Sequence, residues 1–200
     1  MLTSHRNSRE SELALNAYLS LKGEKQGEIK GSVIQKGREG KIMVIAVEHE
    51  VLSPHDPASG QATGNRMHKP FVITKELDAS SPLLYAAFTT NENLSSCELQ
   101  FWAPAVGAGT GTGMEVMRYT VQLTNARISD IRFRMLNNKN PELMRYAEFE
   151  EVSFIYQRID WTWVSGGRTS GDDWAPRQRT SAKAGPAVKA AAARAPRKRA

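Results

Sequence analysis

The chain has 200 residues, a formal net charge of +6, 40% hydrophobic residues, four histidines and one cysteine. That length bounds it to one domain with tails; the lone Cys97 excludes an intrachain disulfide and a cysteine-rich zinc site, and no apolar run is long enough to cross a bilayer as a helix. The charge is unevenly placed: residues 176–200 hold eight Lys/Arg and no Asp/Glu, which leaves 19 basic against 21 acidic residues in the rest, a near-neutral body.

Residues 1–11 are polar and lack the apolar core of a secretory signal, so they read as a disordered arm. By these features the product is cytoplasmic, and export would need a route that reads no cleavable signal. Leu13, Leu15, Ala17, Leu19 and Leu21 alternate with more polar neighbours, which predicts a first strand. A turn at 23–27 leads to a weaker strand over 29–34, and a second turn follows at 37–40. Residues 41–52 are rich in Ile and Val on both faces and predict one long central strand. Residues 53–66 are a long polar loop with two Pro and two Gly; a loop of that length in a compact domain is usually functional.

Phe71, Ile73 and, less cleanly, Lys75 alternate with Val72, Thr74 and Glu76, and Pro70 sits at the strand entrance. This strand runs into a short helix over 82–91, with Ser81 as its cap, Pro82 at its first position, and Leu83, Leu84, Ala87 and Phe88 on one face. Strands over 97–102 and 115–124 flank a Gly-rich turn at 104–113. Strand continues over 126–135 after a bend at Thr124–Asn125, a turn occupies 136–141, and an aromatic-rich final strand covers 148–164. Seven to nine strands, one helix and mostly hairpin-length connections predict a mainly β fold, an antiparallel barrel or sandwich.

No catalytic constellation emerges. The Gly-rich stretch at 107–113 fits neither phosphate-binding spacing and precedes a strand, so it reads as a hairpin loop. His49 and His68 lack metal-ligand spacing and read as structural, hydrogen-bonded histidines. Glu150 and Glu151 adjoin in a strand, so they face opposite ways and make a poor acid–base pair. Trp161 and Trp163 share a face, which suits a core strand better than a sugar platform. The basic tail, with Arg177, Arg179, Lys183, Lys189, Arg194, Arg197, Lys198 and Arg199, has no apolar period and reads as disordered alone. A solvated tail and an arm for nucleic acid, an anionic membrane or an acidic protein surface all stay open.

Thr74-Lys75-Glu76-Leu77-Asp78 followed by Ser80-Ser81-Pro82-Leu83-Leu84-Tyr85 resembles the Hcp family, the tube protein of type VI secretion systems. Further matches lie in order around it: residues 28–33, Arg38-Glu39-Gly40, Glu48-His49, residues 64–71, and Ile159-Asp160-Trp161-Thr162-Trp163 with a late Trp174. The ordered set covers residues 12–175. The resemblance implies an antiparallel β-barrel of two packed sheets with one short flanking helix, and a structural protein, not an enzyme, with no cofactor and no metal. It implies six-membered rings that stack into a tube, expelled by a contractile sheath behind a spike protein, with effectors carried in the lumen. In the family the long loop reaches toward the next ring; here that places Pro54, His55, Asp56, Pro57, Asn65 and Arg66 at the stacking contact. The tail at 176–200 departs from the family, which ends soon after the late Trp, and reads as a cargo or adaptor extension. The competing interpretation is a nucleic-acid-binding β-barrel protein with a basic arm.

Overall fold

The computed structural model describes residues 17–105 and 115–174. The predicted N-terminal arm, the start of the first strand, the tip of the Gly-rich turn and the basic tail lie outside the described residues.

Strand β1 (Ala17–Gly23) turns at 24–26 into β2 (Gly27–Ile29). The weaker strand expected over 29–34 ends at Ile29, and residues 30–41 leave the sheet as an excursion. Gly31 is required there, because a Cβ would lie 2.5 Å from the Lys41 carbonyl oxygen and 2.7 Å from Asp78 Oδ2.

The long central strand expected over 41–52 is three strands: β3 (Ile42–Val44), β4 (Ala46–Glu48) and β5 (Val51–Leu52). β3 pairs with β1, whereas β4 pairs with β7 (Phe71–Glu76) in a different sheet. The chain turns the corner at Ile45, whose N–H donates to Thr74 O at 2.9 Å and whose side chain is exposed. Its two apolar faces reflect two sheets approached in succession, not one strand buried on both sides. β5 pairs with β6 (Met67–His68) as a two-stranded ribbon.

The helix α1 spans Ser81–Thr89, with Ser80 at the N-cap and no side-chain capping bond. Ser81 is therefore the first helical residue, and its hydroxyl is committed to the buried cluster described below. Leu84 and Ala87 are buried, but Leu83 and Phe88 stay more than one-third exposed, so the apolar face is only partly covered.

β8 (Leu94–Pro104) and β9 (Glu115–Thr124) form the hairpin predicted around the Gly-rich turn. The bend at Asn125 is real: it takes a left-handed φ of 51°, and the chain passes into β10 (Arg127–Arg134) of the other sheet. The final strand expected over 148–164 is likewise two, β11 (Phe149–Ile155) and β12 (Arg158–Trp163), again divided between the sheets. Seventeen residues of unbroken strand would run about 56 Å, longer than such a domain, so it breaks at Tyr156–Gln157. A further strand, β13 (Arg168–Asp173), has no counterpart in the sequence reading.

The seven-stranded sheet runs β13-β12-β9-β8-β1-β2 with β3 also on β1, and the four-stranded sheet runs β10-β11-β7-β4. All their pairings are antiparallel. The sheets face each other across one core that includes Leu19, Ile42, Ile73, Leu99, Val152 and Phe154. They pack as two walls of a barrel without closing, and α1 lies beside β10. The chain is mainly β with one short flanking helix.

Candidate functional site

The long polar loop is a hairpin arm, not a structureless loop. Pro54 O accepts from Thr63 N at 3.0 Å, His55 bridges to Ala62, and Asp56 N donates to Gln61 O at 2.8 Å. At the tip Asp56 accepts from Ala58 N at 3.1 Å and Ser59 Oγ at 2.6 Å, bonds that favour its ionised form and lower its pKa. Pro57 and His55 are exposed beside it, and Gly60, with φ +70°, supplies the left-handed residue that the turn needs. Asn65 is exposed on the returning side.

The arm is fixed at its root. Arg66 donates through Nε and Nη2 to both carboxylate oxygens of Asp172 on β13. His68, with a fully buried side chain, contacts Asp172 Oδ2 through Nε2 at 2.7 Å and Tyr156 Oη through Nδ1 at 3.1 Å. His49 Nε2 meets the same hydroxyl at 2.6 Å. Asp172 is held well below the usual carboxylate range, chiefly by the Arg66 hydrogen bond and also by His68. An ionised Asp172 accepts, so His68 donates at Nε2; when neutral it must accept at Nδ1 from Tyr156, which in turn accepts from His49 Nε2–H. One directional chain, His49 to Tyr156 to His68 to Asp172, thus satisfies every group. Trp174 closes it, stacked on Tyr156 with ring centroids 5.0 Å apart and edge-on to His68 at 4.7 Å. Both histidines are thus hydrogen-bonded within the protein.

Acid should weaken this root. Burial lowers the His49 pKa below 6.5, and neighbouring His68 lowers it further. The unfolded chain then binds more protons than the folded one below about pH 6.5, so stability falls as pH drops through that value. Asp172 adds a second loss as pH falls through 3.8, its ordinary value. Urea unfolding from pH 7.5 to 5.5 tests the first step: His49→Gln should reduce the slope, and an unchanged slope would remove His49 from the account.

A second polar cluster explains why residues 74–81 have their character. Lys75 is fully buried, facing the core like Phe71 and Ile73, and its ammonium lies 2.8 Å from Glu150 Oε1, 2.9 Å from Asp78 Oδ1 and 3.0 Å from Ser81 Oγ. Ser81 also donates to Glu150 at 2.8 Å and accepts from Asp78 N at 3.2 Å. Burial pushes the Asp78 pKa up, but bonds from Ser80 and Lys75 outweigh it and leave it lowered. Asp78 Oδ2 accepts from Ser32 N at 3.2 Å, tying the 30–41 excursion to the helix start. Glu150 and Glu151 do face opposite ways: Glu150 is buried and Glu151 partly exposed, near Arg132 and Arg134.

Several large apolar side chains are exposed. Val51, Leu52 and Met67 stand open on the arm's ribbon, Phe133 lies on β10 at an open edge of the four-stranded sheet, and Ile34 is 90% exposed on the excursion. Trp161 packs on the core and Trp163 stays partly exposed beneath Arg118. Among the described residues, no group of three or more His, Cys, Asp or Glu is arranged to hold a metal, and no helix is long and apolar enough to cross a membrane.

Sequence reasoning singled out His49, His68, Arg66 and Trp174 separately. It missed Tyr156 and Asp172, which join them. Tyr156 looked like one aromatic in a long strand, and Asp172 lies in a strand without apolar alternation.

Comparison with known proteins gives a consistent result. The family model for "Type VI secretion system effector, Hcp" matches residues 18–163. The chain is 42% identical over 171 residues to the "Major exported protein" of Pseudomonas aeruginosa, covering 81% of this chain and 96% of that protein. Among solved structures, it resembles Hcp1 of E. coli (34% identity, TM-score 0.68, covering 81% of this chain and all of that one). It also resembles the secreted protein Hcp3 of P. aeruginosa (34% identity, TM-score 0.63, covering 80% of this chain and 99% of that one).

Proposed function

The chain belongs to the Hcp family of type VI secretion proteins, and from that premise we propose that it works as a structural subunit, closing into six-membered rings that stack into an expelled tube. The observation that supports this best is the arm: a two-stranded ribbon rooted by a buried polar chain, with Val51, Leu52 and Met67 left uncovered. A ribbon of two strands is marginal in water, and the hydrogen bonds of Arg66 and His68 to Asp172 anchor this one to β13. A neighbouring subunit that covers the apolar ribbon completes it.

The six-fold number comes from the family. A ring requires a heterologous lateral contact that closes by rotation, and a tube requires a second contact along the axis. We assign the axial contact to the arm, with Pro54, His55, Asp56, Pro57 and Asn65 reaching the next ring and Arg66 bracing the root. Open edges at β10 and β4, with exposed Phe133, suit the lateral contact. The subunit performs no chemistry; its work is shape. It is made in the cytoplasm, leaves the cell inside the sheath behind the spike protein, and carries effectors in the lumen.

Light scattering behind size exclusion, with negative-stain images of the same fractions, tests the assignment. The full-length protein should run as rings with a central hole, and stacks should appear as concentration rises. Replacing residues 54–65 with a two-residue Asn-Gly turn should keep the rings and remove the stacks. Monomers at high concentration would overturn the ring reading, and unchanged stacking of the shortened chain would overturn the role of the arm.

A further inference from the structure

We propose that Lys41 is an acyl-acceptor site, whose side-chain amine takes an acyl group from a small acyl phosphate held in the groove beside it. The groove, about 600 Å³ in volume, lies where the 30–41 excursion leaves the seven-stranded sheet. β1 pairs with β3 over residues 17–19 and with β2 over residues 21–23, which leaves a gap at Ser20. The chain departs there after Ile29 and returns at Lys41. Three lysines line the gap: Lys22 on β1, Lys30 on the outgoing limb and Lys41 on the returning one. Lys30 reaches the returning limb, since a Cβ on Gly40 would lie 3.6 Å from its Cδ. Glu28 and Glu39 line the same groove, so three cations face two carboxylates, and Glu28 is paired with Lys30 at 3.3 Å.

Lys41 is set apart from the other two. Lys22 and Lys30 are exposed, whereas Lys41 is partly buried and its Nζ donates to Gln100 Oε1 on β8. Gln100 is held in that orientation because its Nε2 donates to Glu98 Oε1 at 2.9 Å. Arg38 stands nearby and is fixed: its guanidinium lies between the Tyr18 and Trp102 rings and pairs with Glu115 at 2.5 Å. Burial lowers the Lys41 pKa, Glu98 opposes that shift, and the Arg38 charge adds to it. A lysine is nucleophilic only as the free amine, and partial burial beside a second cation favours that form. A free amine that donates one hydrogen to Gln100 keeps its lone pair for an electrophile.

In the reaction that lone pair attacks the acyl carbonyl carbon. The bond from that carbon to the phosphate oxygen breaks, and inorganic phosphate leaves with the electron pair. The proton lost by nitrogen passes to the phosphate or to water. Lys22 and Lys30 supply the positive charge that draws the phosphate end into the groove. The product suits the site: an N-acyl lysine brings no charge beside Arg38, and its remaining N–H can still donate to Gln100. Lys75 has the opposite setting, closed to solvent and paired with Glu150, and serves as an internal control.

The test incubates the full-length protein with acetyl phosphate and follows each lysine by peptide mass spectrometry. At about pH 8 Lys41 should be acetylated at least about fivefold faster than Lys22, Lys30 and Lys69, and Lys75 should stay unmodified. In denaturing guanidinium chloride that advantage should vanish, because the fold creates it. The Lys41 rate should level off at a lower pH than that of a lysine in a short unstructured peptide. Glu98→Gln should raise it about two- to threefold, by removing the carboxylate that favours the ammonium. The double variant Lys22→Gln with Lys30→Gln should slow acetylation of Lys41 by acetyl phosphate about three- to tenfold and leave acetylation by neutral phenyl acetate unchanged. A Lys41 rate no higher than those of Lys22 and Lys30 in the folded protein would overturn the proposal, as would an advantage that survives denaturation. If the double variant slowed both reagents equally, or neither, the acyl phosphate assignment would fall. None of these measurements depends on rings or stacks, so the acylation site and the tube reading fail independently.

Discussion

Lys75→Met should destabilise the protein by about 3–5 kcal/mol, the cost of leaving a buried charge without its partner. Lys75 and Glu150 both have side chains closed to solvent, and Glu150 Oε2 has no hydrogen-bond partner even in the intact cluster. Without the ammonium, Glu150 keeps only the Ser81 hydroxyl on its other oxygen. For a chain of this size the midpoint of thermal unfolding should fall by about 6–20 °C. The double variant Lys75→Met with Glu150→Met should regain most of that loss, because an apolar pair of similar volume needs no compensating charge. If the single variant lost less than about 1 kcal/mol, water would have to reach Glu150 and the cluster would not be a sealed one. The cluster joins three separate parts of the chain, β7, α1 and β11, and through Asp78 it also holds Ser32. Its loss should therefore loosen the helix and the 30–41 excursion together.

Tyr156→Phe should cost about 2–4 kcal/mol and act on assembly as well as on stability. The substitution keeps the ring stacked on Trp174 but removes the hydroxyl shared by His49 and His68. Each buried ring nitrogen left without a partner costs about 1–3 kcal/mol. The arm should then be cut faster by a protease in residues 53–66, and rings should persist while stacks become rare. Arg66→Ala is the informative companion. Its side chain is 56% exposed and Asp172, itself only 12% exposed, keeps its His68 bond, so the change should cost less than Tyr156→Phe, about 1–2 kcal/mol. If Tyr156→Phe left both proteolysis and stacking unchanged, the polar chain would hold the barrel end together without orienting the arm.

Much of this molecule is legible residue by residue. The strand at 71–76 shows itself through alternation, and even Lys75 keeps the inward register that Phe71 and Ile73 set. The hairpin around the Gly-rich turn, the bend at Asn125 and the short helix are equally plain, because each follows from local backbone preference. The errors fall at corners. Residues 41–52 and 148–164 look like single strands because apolar residues stay apolar while the chain leaves one sheet for the other. β13 is silent because an edge strand with one paired side and an exposed surface needs no apolar alternation.

Composition, charge placement and period are local properties, so the β-rich class, the near-neutral body, the basic tail and the resemblance to a tube-forming family are all present before any folding is known. Pairings between distant residues are another matter. Asp172 meets Arg66 and His68 across more than a hundred positions, Tyr156 meets His49 across a similar gap, and Glu150 finds Lys75 75 positions away. No pattern in a window of neighbours encodes such meetings. They arise only when two sheets close over one core and bring the strand ends into register, and that closure turns a polar loop into a rooted arm.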